Sequence, residues 1–167
     1  MNLYIIRHAI ASPAEAAEED SQRPLTKKGQ RKMRKIAQGM RKLEVQADWI
    51  LTSPYLRALE TAKILRNVFE LKKNQLIEAE HLSPLGHSDQ LINEINQKFA
   101  EAQNIILVGH EPYLSSLISV LLFGDAGGAL TLKKGGMCKL VVNQLQYGRC
   151  AALEWLLSPS QLVELGS

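Results

Sequence analysis

Two short apolar runs, one near the start of the chain and one beyond residue 100, each end in a histidine. They occupy residues 3–8 and 105–110 and end at His8 and His110. Runs of four or five apolar, β-prone residues predict buried strands. In open α/β sheets, ligands bind at the edge where the carboxyl ends of the parallel strands meet. The pattern therefore predicts that His8 and His110 lie close together at that edge.

A third strand-like segment leads into a helix that carries an arginine. Residues 49–52 are followed by Ser53-Pro54, and Arg57 comes three residues later. Serine is favoured at a helix N-cap and proline at the first helical position. We therefore expect the helix to start at Pro54, with Arg57 in its first turn beside free N–H groups and the positive end of the helix dipole.

The rest of the chain alternates between strand and helix patterns. This alternation predicts an α/β fold, a three-layer sandwich whose largely parallel sheet has helices on both faces. The last two strands are separated by a short turn and predict a C-terminal antiparallel hairpin. At 167 residues, the default is a single domain spanning 1–167. The predicted strands are 2–7, 49–52, 75–79, 104–108, 137–143 and 151–156. Besides the helix with Arg57, helices are predicted from the N-cap Thr26 to about 43, from 89 to 102 and from Pro112 to about 123.

The composition excludes several classes of protein. Hydrophobic residues make up 46% and charged residues 22% of the chain, as in ordinary globular proteins. No apolar stretch approaches the ~20 residues of a membrane span, and the N-terminus lacks a signal-peptide pattern, so we expect a cytoplasmic protein without membrane association. Cys138 and Cys150 are predicted to be free thiols. They show no metal-ligand spacing with His81 or His87, so no metal site is expected.

The charge is unevenly distributed along the chain. Residues 23–42 contain nine basic residues and no acidic one, whereas residues 13–20 contain four acidic residues. The basic run is either a solvated helix face or a source of attraction for an anionic partner such as a phosphorylated protein. Aromatic residues make up only 5% of the chain, and no stacking platform is visible, which argues against nucleic acid binding.

The residues expected at the sheet edge suit phosphoryl transfer, which needs a nucleophile, cations around the phosphoryl oxygens and a proton for a poor leaving group. A neutral imidazole such as that of His8 can attack phosphorus and form a phosphorylated intermediate. Arg7 and Arg57 can each bind two phosphoryl oxygens, and His110 can donate to another. Because side chains alternate along a strand, the backbone must turn at Arg7 or His8 for both to reach one site.

Several spaced motifs resemble those of the histidine phosphatase superfamily, which has the phosphoglycerate mutase-like fold. They are Arg7-His8, the segment 53–62 with its Ser-Pro, Arg-Ala and Glu-Thr-Ala groups, and Gly109-His110. The Arg-Pro-Leu-Thr…Gly stretch at 23–29 and the Trp…Ser-Pro ending at 155–159 are similar to the small phosphohistidine phosphatases of the SixA type. The similarity covers nearly the whole chain.

The resemblance implies a role for each matching residue. His8 would be the phosphorylated nucleophile, and Arg7, Arg57 and His110 would form the phosphate pocket. Arg23, through its place in the Arg-Pro-Leu-Thr stretch, would flank that pocket. The resemblance also implies that the protein uses neither a metal nor an organic cofactor.

Two positions depart from the superfamily pattern. Ala9 stands where the Arg-His-Gly signature has a glycine, which would permit a left-handed or close-approach backbone. Members that act on phosphate esters carry an acid after the second helix, and here Glu80 is the nearest carboxylate, with His81 as the alternative at that place.

The weak match at the position of the general acid indicates which class of substrate the protein hydrolyses. The alkoxide released from a phosphate ester is a poor leaving group without protonation, as the pKa of ~15.7 for water indicates. The imidazole released from phosphohistidine is a better leaving group, because the pKa of its conjugate acid is near ~6.5. The only candidate lids are the loops 9–24 and 82–87, so the site is expected to be open enough for a side chain of another protein. We therefore predict a phosphohistidine phosphatase that acts, as a monomer or weak dimer, on a phosphorylated histidine-containing signalling protein.

Other functions remain open at this point. The nearest alternative is a phosphatase for small phosphate esters within the same superfamily. Ala9 also leaves open a non-catalytic phosphoprotein-binding module that kept the pocket and lost turnover. A metal-dependent hydrolase is disfavoured because no carboxylate and histidine cluster shows ligand spacing.

Overall fold

The computed structural model describes residues 1–167 and contains one six-stranded sheet flanked by five α-helices. Four short 3₁₀ turns lie in the connecting loops. The strands are β1 (Asn2–Arg7), β2 (Trp49–Thr52), β3 (Leu76–Glu78), β4 (Asn104–Gly109), β5 (Met137–Val142) and β6 (Ala151–Leu157). The helices are α1 (Lys27–Lys42), α2 (Leu56–Val68), α3 (Ser88–Lys98), α4 (Tyr113–Phe123) and α5 (Pro159–Leu165).

The strand order is β3-β2-β4-β1-β5-β6. The first four strands in this order are parallel to one another, β5 is antiparallel to β1, and β6 is antiparallel to β5. The α/β fold class, the largely parallel sheet and the C-terminal hairpin are therefore confirmed. The carboxyl ends of β1, β2 and β4 lie side by side at one edge of the sheet.

Each face of the sheet has its own apolar core, because successive side chains of a strand point to opposite faces. In β1, Leu3 and Ile5 pack in the core beneath α3 and α4, whereas Tyr4 and Ile6 pack in the core beneath α1, α2 and α5. The central strands are buried on both faces, which explains why their sequences read as continuous apolar runs rather than alternating ones.

Helix α1 begins where its sequence predicts. The Thr26 side chain accepts a hydrogen bond from the Gly29 amide at 2.9 Å, and the predicted apolar stripe is buried. Gly29 lies so close to Ile10 that a Cβ atom would come within 2.1 Å of the Ile10 carbonyl oxygen. This close approach fixes the start of α1 against the loop that follows β1. The stripe consists of Met33, Ile36, Ala37 and Met40.

Two helix predictions are wrong in detail. Helix α2 starts at Leu56 with Tyr55 as its N-cap, not at Pro54, because Ser53 continues the sheet edge by donating its amide to the Val108 oxygen at 2.9 Å. Helix α3 ends at Lys98 rather than at residue 102. Helix α5 is absent from the sequence-based prediction, although Ser158 and Gln161 form a capping box around a proline, a recognisable start signal.

Further sequence predictions concern cysteines, metals and membranes. Cys138 and Cys150 are free thiols, as expected. Nowhere do three or more His, Cys, Asp or Glu side chains gather in an arrangement that could hold a metal ion. None of the helices has the length and apolar character needed to cross a bilayer.

Candidate active site

The strand ends bring the two predicted histidines together. Arg7 of β1 pairs in register with Gly109 of β4, and the His8 amide donates to the Gly109 oxygen at 3.0 Å. The imidazole rings of His8 and His110 lie 5.0 Å apart, measured between their centroids. Two segments more than 100 residues apart in the chain thus place their imidazoles at one point of the sheet edge.

A cavity of about 330 Å³ opens at this point. Its walls come from the strand ends, from α2 and from three loops, at residues 9–24, 82–87 and 130–136. The lining residues are Arg7, His8, Asp20, Arg23, Arg57, Pro84, His110, Glu111 and Lys134. The cavity therefore contains all five residues predicted to bind phosphate or to attack it, including Arg23, and four that the sequence did not suggest.

Glu80 and His81 do not lie in this cavity. They line a different surface groove, together with Glu78 and residues of α3 such as Gln90. The physical reason is that residues 80–82 form a 3₁₀ turn whose side chains face α3, while the following residues, up to Pro84, reach the cavity. The prediction that one of the two acts as general acid is therefore not supported by their position.

His8 is held as a neutral imidazole whose lone pair is on Nε2. The guanidinium of Arg57 can only donate, so its Nε–H bond to His8 Nε2, at 3.2 Å, requires Nε2 to be unprotonated. The proton then sits on Nδ1, which donates to the Ala9 carbonyl oxygen at 2.8 Å. Burial, opposed by this bond and assisted by the charges of Arg57, Arg7 and Lys134, lowers the pKa of His8 to about 3. A neutral Nε2 is the form that can attack phosphorus.

His110 has one nitrogen engaged and one unpaired. Its Nε2 lies 2.8 Å from the Ser53 hydroxyl, and the ring of Tyr55 packs edge-on against it. Burial, followed by the effects of His8 and the Arg57 charge, lowers the pKa of His110 to about 3. If the Ser53 hydroxyl donates to Nε2, the single proton of the neutral ring is on Nδ1, which is buried without a partner in the protein.

Arg57 is buried and clamped by an aspartate. Its Nη1 donates to the Asp20 carbonyl oxygen at 2.7 Å, and its Nη2 to the Asp20 carboxylate at 2.9 Å. Arg23 binds the other carboxylate oxygen at 2.7 Å. The hydrogen bond from Arg23, with that from Arg57, holds the pKa of Asp20 below its usual value. The carboxylate thus bridges two guanidinium groups, where an anionic ligand would also bind.

Arg7 is held by the loop 130–136. Its Nη1 donates to the Leu132 oxygen at 3.0 Å, and the Leu132 amide donates to the Glu111 carboxylate at 2.7 Å. The backbone of Arg7 also pairs with Gly135 and Gly136, and the side chains of Arg7 and His8 both line the cavity. Glu111, directly after His110, therefore anchors the loop that positions the Arg7 guanidinium.

The same loop also contributes a cation. Lys134 lies between Leu132 and Gly135 and lines the cavity. Glu111 itself accepts from the amide and the hydroxyl of Ser115 as well as from Leu132, so both oxygens of its carboxylate are engaged. Its role was missed by the sequence analysis, although its position next to a predicted site histidine was a usable signal.

Two side chains that line the cavity each have a buried nitrogen without a partner. Arg7 Nε and His110 Nδ1 are buried and make no hydrogen bond within the protein. Buried polar atoms are almost always paired, and each unpaired one is costly. A tetrahedral oxyanion in the cavity would lie beside the charges of Arg7, Arg57, Arg23 and Lys134. The cavity is therefore chemically suited to a phosphoryl group.

Ala9 fits without backbone strain. Its φ angle is not positive, so this position does not require glycine. Its side chain is buried, and its amide donates to the Thr61 hydroxyl of α2 at 3.0 Å. That hydroxyl in turn donates to the Arg57 oxygen at 2.7 Å. Ala9 and Thr61 therefore connect the turn that carries His8 to the helix that carries Arg57.

Sequence comparison identifies related proteins. The profile of the Histidine phosphatase superfamily (branch 1) matches residues 3–83. An uncharacterised protein of Picosynechococcus sp. is 36% identical over 141 residues, which cover 84% of each chain. The phosphohistidine phosphatase SixA of Escherichia coli is 26% identical over 164 residues, which cover 97% of this chain and 96% of SixA.

Structural comparison gives the same fold. A solved structure of the protein histidine phosphatase SixA in complex with tungstate superposes with a TM-score of 0.85 and covers 97% of this chain and 99% of that chain. The sequence identity of this pair is 23%, so the likeness concerns the fold.

Proposed function

The chain belongs to the histidine phosphatase superfamily, and on that premise we propose that it removes phosphate from a phosphorylated histidine of a cytoplasmic signalling protein. Membership supports phosphatase activity, and the phosphohistidine substrate is our proposal. The observation that carries it is the neutral His8 Nε2 in a cationic cavity that offers no free carboxylic acid.

In the first step, the lone pair of His8 Nε2 forms a bond to phosphorus as the bond from phosphorus to the substrate imidazole breaks. The electron pair of the broken bond stays on the substrate nitrogen, and the substrate leaves as a neutral imidazole because its other ring nitrogen already carries a proton. Arg7, Arg57 and His110 surround the three phosphoryl oxygens as charge redistributes on them.

In the second step, a water molecule attacks the phosphorus atom of phospho-His8. The P–N bond breaks, His8 Nε2 regains its lone pair, and inorganic phosphate leaves the cavity, with the proton of the attacking water passing to phosphate or solvent. The Nδ1–H bond to the Ala9 oxygen keeps the ring oriented through both steps.

The arrangement of the two carboxylates in the cavity favours a leaving group that does not need protonation by a general acid. Asp20 is held as an anion by Arg23 and Arg57, and Glu111 accepts three hydrogen bonds. Neither is placed to donate a proton to an alkoxide. Departing imidazole has a conjugate acid of pKa near ~6.5, so a strong general acid is less necessary for phosphohistidine than for an ester.

The test is phosphate release from a histidine-containing carrier domain phosphorylated on its histidine. The wild type is expected to release phosphate and to show an acid-labile label on His8 in rapid-quench samples. His8→Ala should lose both, whereas His87→Ala, which changes an exposed histidine outside the cavity, should keep both. Full activity of His8→Ala would contradict the mechanism.

The same assay separates the alternatives. A higher kcat/KM for small phosphate esters than for the phosphorylated domain would identify an ester phosphatase. Pocket binding of phosphate without any label on His8 would identify a non-catalytic binding module.

A further inference from the structure

Helix α1 has an exposed face of one charge sign. Its sixteen residues include eight lysines and arginines and no acidic residue, and none of the eight forms an ion pair. Four of them surround a shallow depression between α1 and α5, with the partly exposed Val163 of α5 as its only apolar member. We call this surface the basic face; its cations are Lys28, Arg31, Lys32 and Lys35.

These charges oppose the formation of the helix. Lys28 and Lys32, like Arg31 and Lys35, stand four residues apart, where like charges repel. Lys27 and Lys28 lie in the first turn, at the positive end of the helix dipole, where cations are unfavourable. Helix α1 is stabilised by its buried apolar stripe and its Thr26 cap, so folding does not explain the basic face.

The basic face is connected to the cavity through the loop 130–136. Lys134 lines the cavity, and Gly135, the next residue, packs against Ile36 of α1 and Pro159 of α5. On the other side, Arg23 of the cavity lies three residues before the cap of α1. The loop 130–136 and the segment 23–26 thus connect the cationic cavity to the helix that carries the basic face.

We propose that the basic face docks an acidic surface of the phosphoprotein whose phosphohistidine enters the cavity. This inference rests on the proposed function and specifies the substrate as a phosphoprotein with a net-negative surface beside its phosphohistidine. Charge complementarity requires that the docking surface of the partner be negatively charged. Val163 among the four cations favours a protein, which can bury an apolar side chain there, over a nucleic acid backbone. Complementary charge of this kind accelerates encounter and weakens with salt.

The test compares two double variants with the same change in charge. Arg31→Glu with Lys35→Glu reverses the basic face. Lys72→Glu with Lys73→Glu is the control, because these exposed lysines precede β3 at the opposite edge of the sheet from the cavity. The probes are a net-negative histidine phosphotransfer domain, phosphorylated on its histidine, and a short neutral peptide that contains phosphohistidine.

We expect the basic-face variant to lower kcat/KM for the acidic domain about tenfold at low salt, with a smaller loss at high salt. Turnover of the neutral peptide should stay within about twofold, because variants of rim charges act on encounter. The control variant should change neither substrate. An unchanged kcat/KM for the domain, or an equal loss on the peptide, would overturn the docking proposal.

A binding measurement keeps this result separate from the proposed function. The dissociation constant for the unphosphorylated acidic domain should rise in the basic-face variant and not in the control. If the wild type hydrolyses neither probe, the proposed function fails, and this measurement still decides the docking surface. Binding of phosphatidylglycerol vesicles or duplex DNA that the basic-face variant abolishes, with no change toward the acidic domain, would also overturn the proposal.

Discussion

Asp20 competes with an anionic ligand for two arginines, and Asp20→Asn should relieve that competition. The carboxylate of Asp20 pairs with Arg57 at 2.9 Å and with Arg23 at 2.7 Å, and its side chain is 53% exposed. Exposed ion pairs are screened and contribute roughly 0.2–1 kcal/mol each. Displacing both pairs should therefore cost a ligand about 1 kcal/mol, which corresponds to roughly fivefold in affinity.

The assay is calorimetric titration of wild type and Asp20→Asn with tungstate, a tetrahedral oxyanion. We expect the variant to bind tungstate several-fold more tightly and to unfold at a slightly lower temperature, since it loses the two ion pairs. Glu19→Gln is the matched control, because Glu19 is the preceding acid and contacts neither arginine. Equal or weaker tungstate binding by Asp20→Asn would show that Asp20 orients Arg57 rather than competing for it.

Two further predictions concern Glu111 and the buried histidines. Glu111→Gln should weaken the hydrogen bond that holds the loop 130–136 and misplace Arg7, so phosphate release from the carrier domain should fall about tenfold and tungstate affinity should also fall. The control Glu94→Gln in α3 should change neither quantity. Unchanged kinetics of Glu111→Gln would contradict the positioning role of Glu111. The folded-state pKa of about 3 for His8 and for His110 lies below the usual 6.5, so the unfolded chain binds more protons between these values. The free energy of unfolding should therefore be highest above pH 6.5. It should fall as the pH decreases toward 3, by up to about 1.4 kcal/mol per pH unit for each histidine. Denaturant unfolding at several pH values checks this, His110→Gln should reduce the slope, and a stability that is constant or rises on acidification would refute it.

The sequence determined the sheet and the edge at which its ligand site lies. Apolar runs at 3–6 and 105–108 are long enough to be buried on both faces, and they lead into Arg7-His8 and Gly109-His110. The side chains of His8 and His110 are adjacent because parallel strands in register end at the same edge. This inference needs only local pattern and the general geometry of α/β folds, and the superfamily motifs supplied Arg57 and Arg23.

The tertiary structure alone decided how the loops complete the cavity. Asp20 reaches Arg57 across 37 residues of sequence, and Leu132 reaches Arg7 across 125. Ser53 supports His110 instead of capping α2, and Glu80, which looked like a usable acid, faces α3. Such contacts depend on the path that each loop takes over the packed sheet. A loop path is fixed by long-range hydrogen bonds and close contacts that leave no periodic signal in the chain, whereas a strand or helix repeats its pattern residue by residue.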